Sequence, residues 1–125
     1  MVRDVMREGE GIPRVPADTS LSEALLEITD KGLGMTTVVD DSGALAGVFT
    51  DGDLRRSLDS RTDINATAIG DLMSANAKTV GPEMLAAEAM RIMEENEIGA
   101  LVVLDDNNAI TGVLHLKDLL HAGIA

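Results

Sequence analysis

The segment Thr50-Asp51-Gly52-Asp53 sets a hydroxyl, a glycine and two carboxylates side by side, directly after the apolar run Leu45 to Phe49. If that run is a strand and a helix follows, the Thr50 hydroxyl and the N–H groups of Asp51, Gly52 and Asp53 form an anion site at a helix N-terminus. Gly52 lets a ligand approach the backbone closely. Asp53, about one helical turn beyond Thr50, can accept both hydroxyls of a ribose, as the carboxylate of dinucleotide folds does. Phosphate on Thr50 and ribose on Asp53 leave a base to lie against Met35, Thr36 and Thr37 and the Ile12-Pro13 segment. Arg55, with Arg56 beside it, offers charge to neutralise such a ligand, as do Arg14 and Lys78 ahead of their extended segments. The competing reading is purely structural: Asp53 caps its helix and Thr50 caps the strand end.

The same frame recurs at a constant offset of 65 residues, without a gap, from Val15 to Leu58 and from Val80 onward. Glu23-Ala24 falls on Glu88-Ala89, Gly34 on Gly99, Asp40-Asp41 on Asp105-Asp106, Gly47-Val48 on Gly112-Val113 and Asp53-Leu54 on Asp118-Leu119. In the second copy His115 stands where Thr50 stands. Imidazole is larger than a hydroxyl and titrates near neutral pH; it can meet a phosphate or a carboxylate, with Lys117 adding charge and Asp118 available for hydroxyls. Thr79, Ala100 and Leu101 are the further candidates of this copy. His121 reads as a surface helix residue.

The elements that must position these residues follow from periodicity. Val2 to Met6 and Ile69 to Met73 read as short lead-in helices, each followed by a brief extended piece. Leu21, Ala24, Leu25 and Ile28 make one apolar helical stripe opposite Glu23, Glu27 and Lys31; Ala86, Ala89, Met90 and Met93 repeat it. Ser20-x-x-Glu23 reads as a capping box and Gly32 as a stop. Met35 to Val39 and Ala100 to Leu104 are β-rich runs, joined through Asp-Asp turns to Leu45 to Phe49 and Ile110 to Leu114 as hairpins. A helix starting near Asp53 or Asp118 closes each half. The expected fold is α/β (α+β), two pseudo-symmetric β-α-β-β-α repeats packed through their sheets, with repeats at 1–59 and 67–125 and a linker at 60–66. A half of this size buries only about 60% of its unfolded surface, so two share a core.

Composition excludes several classes. The chain has 125 residues, 45% of them hydrophobic, with Phe49 its one aromatic residue and no cysteine. Disulfides, thiolate metal sites and a cysteine nucleophile are therefore impossible. A net charge of −12 opposes nucleic acid and anionic membranes as partners. No apolar run reaches the roughly 18 residues of a membrane span, and no signal-peptide pattern is present, which fits a cytoplasmic protein. Adjacent aspartates in the Asp40-Asp41 and Asp105-Asp106 turns point apart, so no metal site is expected there. Asp51-Gly52-Asp53 lacks the other ligands of an EF-hand loop. With two histidines and no phosphate-loop, nucleophile-elbow or zinc-helix motif, catalysis by this chain alone is not expected.

Gly47-Val-Phe-Thr50-Asp-Gly-Asp53, with its ungapped second copy, resembles the nucleotide-contact motif of CBS domains, which occur in tandem pairs. Leu33-Gly-Met-Thr-Thr-Val-Val-Asp40, Phe49-Thr-Asp-Gly-Asp-Leu-Arg-Arg56 and Gly112-Val-Leu-His-Leu-Lys-Asp-Leu-Leu-His-Ala-Gly-Ile124 resemble the C-terminal region of bacterial arabinose 5-phosphate isomerases. In that family a catalytic sugar isomerase (SIS) domain precedes the CBS pair, and the sequence reads as the regulatory piece of such an enzyme. The resemblance implies a homodimer, within a higher oligomer of the full enzyme, that senses a nucleotide or nucleotide-sugar. The family serves the pathway to 3-deoxy-manno-octulosonate (Kdo) and lipopolysaccharide, so feedback favours CMP-Kdo as ligand, with AMP or ATP second. Its ribose, phosphate and sugar-acid carboxylate would match Asp53, Thr50 and a cation such as His115 or Arg55. The alternative is a dimerisation scaffold without a physiological ligand.

Overall fold

In the computed structural model residues 1–124 are described; Ala125, the last residue of the expected second repeat, lies outside the described residues. The regular elements in chain order are β1 (Arg14–Pro16), α1 (Leu21–Lys31), β2 (Met35–Val39), β3 (Leu45–Thr50), α2 (Asp51–Asp59), β4 (Thr79–Val80), α3 (Ala86–Asn96), β5 (Ala100–Leu104), β6 (Ile110–His115) and α4 (Leu116–His121). Each half forms its own three-stranded sheet, ordered β1-β2-β3 and β4-β5-β6. The first pair in each is parallel and the second antiparallel. The expected β-α-β-β-α order is therefore present twice.

Local chemistry sets the element ends. Ser20 Oγ accepts the N–H of Glu23 at 3.3 Å and opens α1. Gly32 closes it in the left-handed region at φ 70°, where a side chain is disfavoured. The repeat carries this geometry into α3, but there Glu97 takes the left-handed position at φ 54°. The hairpins likewise place Gly43 and Asn108 at positive φ. Asp40 Oδ1 accepts from the N–H of Ser42, the hydroxyl of Ser42 and the N–H of Ala44, while Asp105 Oδ1 accepts from the N–H groups of Asn107 and Ala109. These aspartates are turn residues, as expected. The Ser42 hydroxyl, then the backbone donors, hold the Asp40 carboxyl below its ordinary value. With the folded value depressed, that contribution is present above the ordinary carboxylate range and disappears as pH falls through the folded value.

The lead-in segments depart from the sequence expectation. Only Val2–Asp4 and Ile69–Asp71 are helical, each a single 3-10 turn. The chain straightens after each turn because its backbone is spent on a strand edge. Arg7 exchanges two hydrogen bonds with Val113 (2.9 and 3.0 Å), and Ser74 exchanges two with Val48 (2.8 and 3.0 Å). Each lead-in thus lies on the half it does not precede. Spatially the chain forms two compact units, one of Met1–Gly11 with residues from Lys78 onward, the other of Ile12–Ala77. The apolar cores follow this partition. Ile69 joins Val15, Leu21, Val38 and Phe49 in one unit, and Val2 joins Ala89, Leu101, Leu114 and Leu119 in the other.

Close approach of the lead-ins demands glycine beneath them. A Cβ on Gly47 would lie 2.6 Å from the Ser74 carbonyl oxygen, and one on Gly112 would lie 2.8 Å from that of Arg7. Gly47→Ala is expected to destabilise the fold by about 1–3 kcal/mol through overpacking. Glu97→Gly, which relieves a left-handed side chain, is expected to stabilise it by up to about 1 kcal/mol. Urea midpoints measure both; a neutral Gly47→Ala would contradict the close approach.

Candidate functional site

The unit made of residues 12–77 gathers most of the first-copy candidates at one end of its sheet. Strand β3 ends at Thr50 and α2 begins at Asp51 without a loop. The helices α2 and α4 therefore start earlier than the expected positions near Asp53 and Asp118. The reason for α2 is a reciprocal cap: Asp53 Oδ2 accepts the backbone N–H of Thr50 at 3.0 Å and its hydroxyl at 3.2 Å. The other carboxylate oxygen, Oδ1, accepts the Ser74 hydroxyl at 2.8 Å and a guanidinium N–H of Arg56. Asp53 is only 4% exposed, whereas the Arg56 side chain is 70% exposed. The structural role weighed for Asp53 is thus real, and its carboxylate must exchange partners to meet a ligand.

Around this carboxylate the register places Met35 opposite Thr50 and Thr36 opposite Phe49 across the β2–β3 pair. Met35, Thr36 and Thr37 are buried. Thr36 donates to the Thr37 carbonyl at 2.9 Å, and Thr37 donates to the Pro13 carbonyl at 2.6 Å. Their hydroxyl protons are engaged internally, so toward a ligand they act as packing surface. Ile12 and Pro13 are buried just ahead of β1, whose Arg14 pairs with Thr37, which sets them beside the β2 start. Asp51 and Arg55 are exposed on the first turns of α2. A methyl on Gly52 would meet only ordinary contacts, 3.6 Å to Arg56 and 3.7 Å to Thr50. The fold itself therefore does not require glycine there.

The second unit holds the remaining candidates. His115 pairs with Ala100 across β5 and β6, Leu101 with Leu114, and Thr79 of β4 with Val102 of β5. His115 Nδ1 accepts the N–H of Lys117 at 3.0 Å and so caps α4; a neutral ring in this role carries its proton on Nε2. Thr79 and Lys117 are exposed and Leu101 is buried. Asp118 is held differently from Asp53. Arg7 Nε donates to Oδ2 and Arg7 Nη2 to Oδ1, both at 3.2 Å. Sequence reasoning missed Ser74 and Arg7. Glycines 47 and 112 signal that some backbone comes close, but nothing local says which segment.

Two copies of one unit, each with an aspartate at the start of the helix that follows its third strand, define a tandem module of the CBS type. The model of the CBS domain matches residues 2–60 and 69–125, and the chain belongs to the CBS domain family. The matched region is not a catalytic unit. The chain is 55% identical over 123 residues to the arabinose 5-phosphate isomerase KdsD of Pseudomonas aeruginosa, covering 98% of this chain and 38% of that protein. It is 44% identical to KdsD of Escherichia coli K12 over the same share of this chain and 37% of that protein. It thus spans under two-fifths of the length of these relatives. Among solved structures, CBSX2 in complex with AMP matches with a TM-score of 0.83 and 27% identity over 98% of this chain and 95% of that one. An uncharacterised conserved protein from Pyrococcus horikoshii matches with a TM-score of 0.86 and 25% identity, over 99% and 92%.

Removing the Asp53 carboxylate strands the Thr50 and Ser74 donors. Asp53→Ala is therefore expected to destabilise the chain by about 1–3 kcal/mol, and Gly52→Ala to leave it within about 1 kcal/mol of the parent. Denaturant unfolding checks both, and a parent-like Asp53→Ala would contradict the cap.

Proposed function

We propose that this CBS pair is the ligand-sensing regulatory module of an arabinose 5-phosphate isomerase, acting beside a catalytic SIS domain. The observation that carries this reading is the 55% identity to the Pseudomonas enzyme across nearly the whole chain. The ligand is a nucleotide or nucleotide-sugar, in keeping with AMP in the related CBSX2 structure. Its phosphate lies against Thr50 and the free N–H groups of the first α2 turn. Its ribose hydroxyls meet Asp53 after displacing Arg56, which holds the carboxylate through one nitrogen and whose own side chain is 70% exposed. Its base lies against Met35, Thr36, Thr37, Ile12 and Pro13, and Asp51 and Arg55 border the phosphate. CMP-Kdo is the favoured ligand and AMP or ATP the second, on the grounds of pathway feedback and of complementarity between the CMP-Kdo carboxylate and a cation such as Arg55.

The module works in the cytoplasm as a homodimer. Among the described residues no helix is long and apolar enough to cross a membrane. Leu26 of α1 and Leu85 at the start of α3 are 72% and 64% exposed, apolar surface suited to self-association. Sedimentation at tens of micromolar concentration is the direct check; a clean monomer would remove the dimer.

A ligand panel separates sensing from scaffolding. A ligand that binds only the folded chain raises stability by about 2.7 kcal/mol at a hundred times its dissociation constant. CMP-Kdo, AMP, ATP, CMP and adenosine are compared by thermal shift and calorimetry. Gly52→Ala should retain the fold and lose at least about tenfold in affinity, equivalent to 1.4 kcal/mol. Thr50→Val should weaken phosphate-bearing ligands and spare adenosine. No stabilisation by any member of the panel would favour the scaffold.

A further inference from the structure

The two motif aspartates stand at equivalent places but are held by different partners, and the difference comes from the lead-ins. Ser74 and Arg7 are equivalent: each exchanges two backbone hydrogen bonds with a strand edge, at Val48 and at Val113. Ser74 sends one neutral hydroxyl to one oxygen of Asp53. Arg7 sends a two-point fork to both oxygens of Asp118, each at 3.2 Å. The fork is opposite in charge and partly buried, with Arg7 34% and Asp118 16% exposed. It is also docked, because the Arg7 backbone is fixed on the strand and closely packed on Gly112. Two charge-assisted bonds from a preorganised fork are much stronger than one exposed contact.

We infer that Arg7 is a specificity-determining residue that closes Asp118 to vicinal hydroxyls, so that the chain takes a ribose only at Asp53. A diol needs both oxygens of a carboxylate; at Asp118 one docked guanidinium holds both, whereas at Asp53 they are shared among separate groups of Thr50, Ser74 and Arg56 that a ligand can exchange one at a time. At Asp53 the cationic partner is Arg56, one nitrogen from the same helix on a side chain that is 70% exposed, which a ligand displaces more readily than a docked two-point fork. With Asp118 neutralised by Arg7, the second unit no longer presents a free negative charge to hydroxyl donors. This inference rests on the proposed ribose role of Asp53.

Calorimetry with AMP and with CMP-Kdo on the whole chain tests it. The parent should bind one ligand per chain, and Asp118→Asn should leave that binding unchanged. Arg7→Ser, which copies Ser74, should add a second site, and the Arg7→Ser/Asp118→Asn double variant should lose it again. Circular dichroism and melting confirm folding. If Arg7→Ser does not fold, Arg7→Lys serves: its ammonium cannot bridge both oxygens as the fork does, so a weaker second site should appear. Two sites in the parent, or one site in a folded Arg7 variant, would overturn the inference while leaving the nucleotide-sensing reading intact. Absence of binding by the parent and every variant would sink both.

Discussion

The docking of each lead-in on a strand edge is the constraint on which the rest of the structure depends. Two backbone hydrogen bonds at Val48 and two at Val113 fix it, and only glycine at 47 and 112 lets the chains come so near. The same docking places Ile69 in one core and Val2 in the other. It also places the Ser74 hydroxyl on Asp53 and the Arg7 guanidinium on Asp118. One backbone contact thereby couples packing to the state of each motif carboxylate.

Asp53 serves folding and, in the proposed reading, recognition. Its Oδ2 accepts the backbone N–H and the hydroxyl of Thr50, bonds worth about 1 kcal/mol each. Its Oδ1 meets the Ser74 hydroxyl and Arg56, whose side chain is 70% exposed. The net charge of −12 sets the background against which an anionic ligand must bind. In the proposed reading short-range donors at the start of α2 carry the attraction, because the long-range field opposes it.

Much of the fold was legible in the sequence because it rests on local chemistry. The stripe of Leu21, Ala24, Leu25 and Ile28, the Gly32 stop and the Asp40 and Asp105 turns each report a period or a cap. The strand pairs and the β-α-β-β-α order followed, and so did membership of the CBS family, now supported by both copies. The lead-ins were misread as helices of five residues, since Val2 to Met6 and Ile69 to Met73 carry apolar spacing with no local sign that their backbone pairs with a distant strand. The sequence does not mark the start of α2 at Asp51, because the reach of the Asp53 side chain back to Thr50 is a matter of rotamer. Ser74 and Arg7 stayed invisible for a similar reason: Arg7 meets Asp118 across 111 positions of sequence. The proximity of Thr50, Asp53 and Met35, by contrast, follows directly from the hairpin register.

In the proposed reading recognition happens at the Asp53 carboxylate and the first turn of α2. Carboxyl and amide NMR of the isotope-labelled chain, titrated with CMP-Kdo and with AMP, tests it most directly. Saturable shifts are expected at the Asp53 carboxyl carbon, the Thr50 and Gly52 amides and the Arg56 guanidinium, with Asp118 and Arg7 unmoved. Saturable binding that shifts Asp118 and His115 and leaves Asp53 and Gly52 where they were would contradict it.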